Sequence, residues 1–244
     1  MLLSLPTTTS ALRVSHCFRL CVASAPHLRA ASMASAPPAA PLPPHLVVSV
    51  SGDGSDGPHS AWLRDFGFSL HLDFVSAAEA SSLIAAAAPV LSRLPYSSDH
   101  FDAVIRGYRE AQLPAERLPP AAAAAVRRVW ALFPAAASSP QSLVHVIDLS
   151  TAGAISPHVD SIKFGGGCVA ALSLISPARL SLIEEPAAMA ARRGAEPRRV
   201  DLELPPRSLY IMTRESRYDF AHAIVPSGRR LSVVLRDEPP ALAS

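Results

Sequence analysis

The sequence predicts an α+β fold in which helices brace one face of a double β-sheet. Three observations carry it. From residue 143 onward, short apolar runs at 144–149, 169–175, 180–183, 200–204, 209–212 and 231–235 are separated by turn residues, the spacing of an antiparallel sandwich or barrel. Ahead of them, Ser76-Ala77-Ala78-Glu79 has the capping-box pattern and an Ala/Leu/Ile run follows it to Leu94, which places a helix there. A second helix is predicted over 121–133, with its start set by Pro119 and Pro120.

The smaller elements follow from local pattern. Residues 46–50 form a short β-type run, and Phe66, Phe68, Leu70, Leu72 and Phe74 alternate strictly, which reads as a half-buried strand. Phe101, Tyr108 and Trp130 read as core residues rather than as a base-stacking platform. Gly165-Gly166-Gly167 reads as a bulge or bend, because no Lys-Ser/Thr pair and helix follow it to make a phosphate loop. Residues 184–199, rich in alanine with Arg192, Arg193, Arg198 and Arg199, read as an exposed loop or a short helix between strands. The sequence has no internal repeat.

Composition sets the outer limits. The 244 residues divide into an expected transit peptide (1–34), a Pro/Gly/Ser-rich linker (35–59) and one domain (60–240). The first acidic residue is Asp53, and the Ser-rich segment before it carries Arg13, Arg19 and Arg29, as organelle leaders do. This composition suits a mitochondrial leader, with the plastid as the alternative. Setting those three arginines aside leaves 19 of the 22 basic residues against 20 acidic ones. A near-neutral body argues against a broad footprint for duplex nucleic acid. Cys17 and Cys21 fall in the leader and Cys168 stands alone in the body, which excludes a disulfide framework and a cysteine-rich zinc site. No stretch of 18 residues is apolar without breakers, so no membrane span is expected.

The chemistry centres on Pro157-His158-Val159-Asp160. On a strand, positions i and i+2 face the same way, so His158 and Asp160 can reach one point. His222, in another β-type segment 62 residues later, completes two imidazoles and a carboxylate. Such a set suits non-haem iron(II) with open positions, and zinc is the competing metal. What favours iron is Arg230 and Arg236, at even spacing on one strand, eight and fourteen residues past His222. If that strand returns beside His222, both guanidiniums face the metal pocket, where they can pair with a dicarboxylic acid.

On these residues the chain resembles the AlkB-type iron(II) and 2-oxoglutarate dependent dioxygenases, and within them the mitochondrial branch. The matching stretches are His100-Phe101-Asp102-Ala103-Val104-Ile105-Arg106-Gly107-Tyr108-Arg109-Glu110, His145-Val146-Ile147-Asp148-Leu149, Pro157-His158-Val159-Asp160-Ser161-Ile162-Lys163-Phe164, Ser208-Leu209-Tyr210-Ile211, Arg217-Tyr218-Asp219-Phe220-Ala221-His222 and 228–236. The resemblance implies a double-stranded β-helix (jelly-roll) with bracing N-terminal helices. It implies that His158, Asp160 and His222 bind iron(II), and that Tyr210, Arg230, Ser232 and Arg236 hold 2-oxoglutarate as co-substrate with oxygen. Many members carry an Asn and a Tyr eleven and nine residues before the first metal His. Here Ile147 and Leu149 stand there, and the mitochondrial branch implies that Tyr210 supplies the phenol from another strand.

The activity implied is oxidation of a C–H bond coupled to decarboxylation of 2-oxoglutarate to succinate; on an N-methyl group it ends in demethylation. A protein or small-molecule substrate in the mitochondrial matrix is expected, with roles in fatty-acid metabolism and alkylation-induced necrotic death. The alternatives are a demethylase of organellar RNA and a non-catalytic metal-binding interaction module. The region before the double sheet, 94–140, offers Arg106, Arg109, Arg117, Arg127 and Arg128 as bases for a nucleic-acid lid but few exposed aromatics.

Overall fold

The computed structural model of the protein describes residues 45–48, 66–99, 103–194 and 196–239. The expected leader, most of the linker, Phe101 and the first residues of the expected domain lie outside them. In chain order the elements are β1 (His45–Val48), β2 (Phe68–His71), α1 (Ala77–Leu91), β3 (Ser97–Asp99), β4 (Ile105–Pro114), a 3-10 turn (Ala115–Arg117), α2 (Pro120–Trp130), β5 (Leu143–His158), β6 (Val169–Leu174), β7 (Ala178–Glu184), α3 (Pro186–Ala191), β8 (Arg199–Leu204), β9 (Leu209–Met212), α4 (Arg214–Tyr218), β10 (Phe220–Pro226) and β11 (Arg230–Arg236).

Neighbouring strands follow the order β1-β8-β7-β10-β5-β11-β6-β9-β2, with β4 also on β5 and β3 on β4. The β1-β8 pair is parallel and the other pairs are antiparallel. The sheet curls into two layers, and the period-2 alternation of its strands sorts two cores. Val146, Ala170, Leu172, Leu209, Ile211, Leu231 and Val233 face the helices and join Leu83, Leu91, Val126 and Val129 in one buried cluster. Their neighbours Ile147, Ala171, Tyr210, Met212 and Val234 face inward and meet Leu180, Leu182, Val200, Leu202, Phe220 and Ile224 of the other layer. This is the expected α+β jelly-roll braced by helices.

The helices form where the pattern places them. Ser76 Oγ accepts from Glu79 N at 3.2 Å, and Ser76 N donates to Glu79 Oε2 at 2.9 Å, a capping box worth about 1 kcal/mol. Pro120 takes the first position of α2, where its missing N–H costs nothing. Arg128 of α2 then spans to α1, donating to Glu79 and to the Phe74 carbonyl. The 184–199 stretch contains the short helix α3. Among the described residues no helix is long and apolar enough to cross a membrane.

Several expectations need correcting. The strand expected over 66–74 spans only four residues, because Gly67 turns at φ +83° and Asp73 at φ +45°. Phe66, Phe68 and Leu70 still pack inward, but Phe74 crosses to the helix-side core. The helix expected to reach Leu94 ends at Leu91, and that expected over 121–133 spans Pro120–Trp130. The 94–140 region holds β3 and β4, a ten-residue strand whose charged residues Arg106, Arg109 and Glu110 masked its alternation. Arg109 and Arg128 are engaged by Asp148 and Glu79 respectively.

Candidate metal centre

The ligand constellation is built at the place where β5 bridges the two layers. β5 runs as one 16-residue strand from Leu143 to His158, far longer than the apolar run 144–149, because Ser150–Gly153 carry no hydrophobic signal. Its first half pairs with β11 and its end pairs with β10, where His222 stands across from His158. The two rings lie 4.2 Å apart, centre to centre. His158 is the last residue of its strand and Asp160 follows beyond it, so Asp160 reaches the imidazoles from a loop rather than by strand alternation. Arg217, buried at 1% exposure, donates from Nη1 to the Asp160 carbonyl at 2.7 Å and fixes that loop.

One ligand atom each from His158, Asp160 and His222 lies within 4.8 Å of the others. His158 Nε2 is 3.2 Å from Asp160 Oδ1, and His222 Nε2 is 4.0 Å from the same oxygen. A carbonyl can only accept, so His158 Nδ1, 3.0 Å from the Ser156 carbonyl, donates there and aims Nε2 at the centre. Burial, reinforced by the neighbouring His158 charge, holds the His222 imidazole at about 3, neutral and ready to ligate. For His158, burial acts downward, but the Asp160 hydrogen bond and charge outweigh it and raise its pKa. For Asp160, burial acts upward, and the Arg236 guanidinium with the two imidazoles brings its carboxyl well below the ordinary range. The carboxylate is therefore ionised, as a ligand must be.

These groups open into a cavity of about 280 Å³ that is also lined by Tyr210, Arg230, Ser232 and Arg236. All seven expected site residues therefore meet in one pocket. The route differs from the one expected: β11 does not lie beside His222, because β5 runs between β11 and β10. Curling of β5 brings the arginines to the same hollow. Arg236 donates from Nε and Nη2 to Asp160 Oδ2, at 3.1 and 2.8 Å, so it is already engaged with that carboxylate. Arg230 is deeper, with 1% exposure; its Nε donates to Ser173 Oγ at 3.0 Å, while its Nη2 has no partner among the described residues. Ile147 lines the pocket where many relatives carry Asn, and Tyr210 on β9 is buried against it, stacked on Phe68 at 6.2 Å. Arg217, Ser173, Glu110 and His145 were not anticipated as site residues, though Arg217, Glu110 and His145 lie within the stretches that carried the resemblance.

The residues fit the group that such a triad implies. Two neutralisable imidazoles and an ionised carboxylate are a suitable donor set for iron(II), and an orphaned buried guanidinium in the same cavity is suited to a carboxylate.

Comparison with known proteins decides the family. No protein-family model matches the chain. It is 39% identical over 180 residues to the Bos taurus alpha-ketoglutarate-dependent dioxygenase alkB homolog 7, mitochondrial, covering 68% of this chain and 76% of that protein. To its Mus musculus counterpart it is 38% identical over 199 residues, covering 76% and 85%. The chain belongs to the alkB homolog 7 family of alpha-ketoglutarate-dependent dioxygenases. As a member of that family it is a dioxygenase whose class takes iron(II) and 2-oxoglutarate with oxygen, and the relatives' names support a mitochondrial location. The fold agrees: a prolyl hydroxylase from Trichoplax adhaerens, solved with a hypoxia inducible factor peptide fragment, superposes with a TM-score of 0.51 at 12% identity, covering 75% of this chain and 90% of the other.

Proposed function

We propose that His158, Asp160 and His222 hold one iron(II), that Arg230 with Tyr210, Ser232 and Arg236 holds 2-oxoglutarate, and that the enzyme oxidises a protein or small-molecule substrate in the mitochondrial matrix. The observation that carries this is the convergence of three ligand atoms within 4.8 Å beside a buried guanidinium with an unpartnered Nη2. When bound, the iron and 2-oxoglutarate supply an oxygen-derived oxidant, with succinate and carbon dioxide as coproducts. The chain's own part is to bind and exclude. Arg230 offers donors to a carboxylate at the dry end of the pocket, Asp160 is kept ionised by Arg236, and the apolar walls Ile147, Ile155, Val169 and Val234 keep water out.

The pocket also argues for the substrate class. Its volume lies near the lower end of ligand sites, roughly 300 Å³, so a small cosubstrate fills much of it and a substrate inserts one small group. Besides the three histidines, Phe164 and Tyr210 are the aromatic residues lining it. Tyr210 is committed to Phe68, which leaves no facing pair of rings among the described residues to clasp a flipped base. The same reading carries the roles that family membership suggests, in fatty-acid metabolism and alkylation-induced necrotic death, and a leader over residues 1–34.

The test is succinate release from 2-oxoglutarate with iron(II), comparing wild type with His158→Ala. Release by the wild type alone is expected; equal background signals would favour a non-catalytic metal-binding module. Filter binding to RNA at two salt concentrations addresses the demethylase alternative, and salt-sensitive binding would overturn the substrate assignment. Residues 1–50 fused to a fluorescent protein should report mitochondria; a plastid signal overturns the placement.

A further inference from the structure

One wall of the pocket carries an ionisable pair that the ligand set does not use. Glu110 on β4 and His145 on β5 both line the cavity. In the register of these strands Glu110 stands across from Ile147 and Gln112 across from His145, so Glu110 reaches His145 diagonally. His145 Nε2 lies 2.9 Å from Glu110 Oε2, and His145 Nδ1 lies 3.4 Å from Arg236 Nη1. A guanidinium only donates and a carboxylate only accepts. The imidazole that satisfies both carries its proton on Nε2, donating to Glu110, and accepts from Arg236 at Nδ1.

The result is a continuous line of hydrogen bonds from the pocket wall to a metal ligand. Arg236 uses Nη1 on His145 and Nε and Nη2 on Asp160 Oδ2. Its stem is confined as well, since a Cβ at Gly165 would come within 2.8 Å of Arg236 Cδ. With Oδ2 taken, Asp160 turns Oδ1 toward both imidazoles.

We propose that His145 and Glu110 are positioning residues for the metal centre, holding the Arg236 guanidinium in the one rotation that occupies Asp160 Oδ2 and leaves Oδ1 for the ion. The inference rests on the iron(II) reading of the triad. An arginine head has several rotatable bonds and five donors; without an acceptor for Nη1 it is free to turn, and the Asp160 carboxylate turns with it. Outer partners of metal ligands of this kind change metal affinity by roughly ten- to a hundredfold when removed.

The test is calorimetric titration of the full-length protein with manganese(II), a redox-inert probe, with and without 2-oxoglutarate. His145→Leu removes both hydrogen bonds and is expected to weaken manganese binding about tenfold. His145→Gln keeps an amide oxygen for Arg236 and an N–H for Glu110, and is expected to stay within about threefold of wild type. Glu110→Ala is expected to weaken binding in the same direction as His145→Leu, and serves alone if the leucine variant does not fold. Equal affinity in the leucine and glutamine variants, or wild-type affinity in Glu110→Ala, overturns the positioning role while the iron reading stands. A wild type that takes up no manganese overturns the iron reading and this inference together.

Discussion

Arg230→Met is expected to stabilise the ligand-free protein while weakening its hold on 2-oxoglutarate. Arg230 is 1% exposed and, among the described residues, makes one side-chain hydrogen bond to Ser173 and leaves Nη2 without a partner. Burial lowers its pKa, with Tyr210 acting in the opposite direction. A buried ion costs several kcal/mol and an unsatisfied buried donor about 1–3 kcal/mol, while methionine keeps an unbranched stem of similar reach. A net gain of about 1–3 kcal/mol corresponds to a rise of roughly 2–12 °C in the unfolding midpoint of a domain this size. Against this, a bidentate pair with a carboxylate contributes two charge-assisted bonds, so its loss removes about 3 kcal/mol or more of cosubstrate binding, roughly a hundredfold. Thermal unfolding with manganese(II), with and without 2-oxoglutarate, reads both effects. The wild-type midpoint should rise with 2-oxoglutarate by mass action, and the variant should start higher and stay unmoved. A variant that melts below the wild type without ligand, yet is stabilised equally by 2-oxoglutarate, would refute the assignment of Arg230.

Two further outcomes follow from buried carboxylates away from the metal. Glu184 is buried; burial acts to raise its carboxyl, but hydrogen bonds from Arg192 and from the backbone and guanidinium of Arg198 bring it down to about 2. Its folded pKa lies below the unfolded value, so this stabilisation, on the order of 3 kcal/mol, is complete above about pH 4.5 and is lost as the pH falls toward 2. Denaturant midpoints measured across that range should fall less steeply in Glu184→Gln, and an unchanged slope would remove the linkage. Gly166→Ala would place a Cβ 2.5 Å from an Asp237 carboxylate oxygen that accepts from Gly167 N and Ser138 N. The displaced carboxylate leaves buried donors unsatisfied at about 1–3 kcal/mol each, and the variant should melt several degrees lower; an unaltered midpoint would show that Asp237 yields freely.

The sequence made α1, α2 and the inner strands legible because each carries a single-period signal. Ser76 and Glu79 announce α1, Pro120 announces α2, and the runs at β6, β7, β8, β9 and β11 match the structure to within two residues. β4 escaped because its pocket face holds Glu110 and Gln112, polar residues in places where a core strand would be apolar. β5 is longer than its apolar run because Ser150, Thr151 and Gly153, in the stretch where the register with β4 shifts, carry no hydrophobic side chains. The candidate ligands were legible from residue type, yet their convergence depends on β5 changing partners from β11 to β10, which no local spacing encodes. Arg217 acts through the Asp160 main chain and the Glu110–His145 pair through Arg236, so their roles appear only once the sheet is folded. Asp237, directly after Arg236, is similar: its carboxylate accepts from Cys168 N at 2.9 Å and ties the three-glycine segment to the end of β11, the bend that Gly165-Gly166-Gly167 foretold.

Iron(II) equilibrium binding under anaerobic conditions tests the metal centre most directly, with His222→Ala and Asp160→Ala beside the wild type. The account predicts one tightly held iron per chain in the wild type and none in either variant. Tight binding that survives both substitutions would place the metal elsewhere and contradict the assignment.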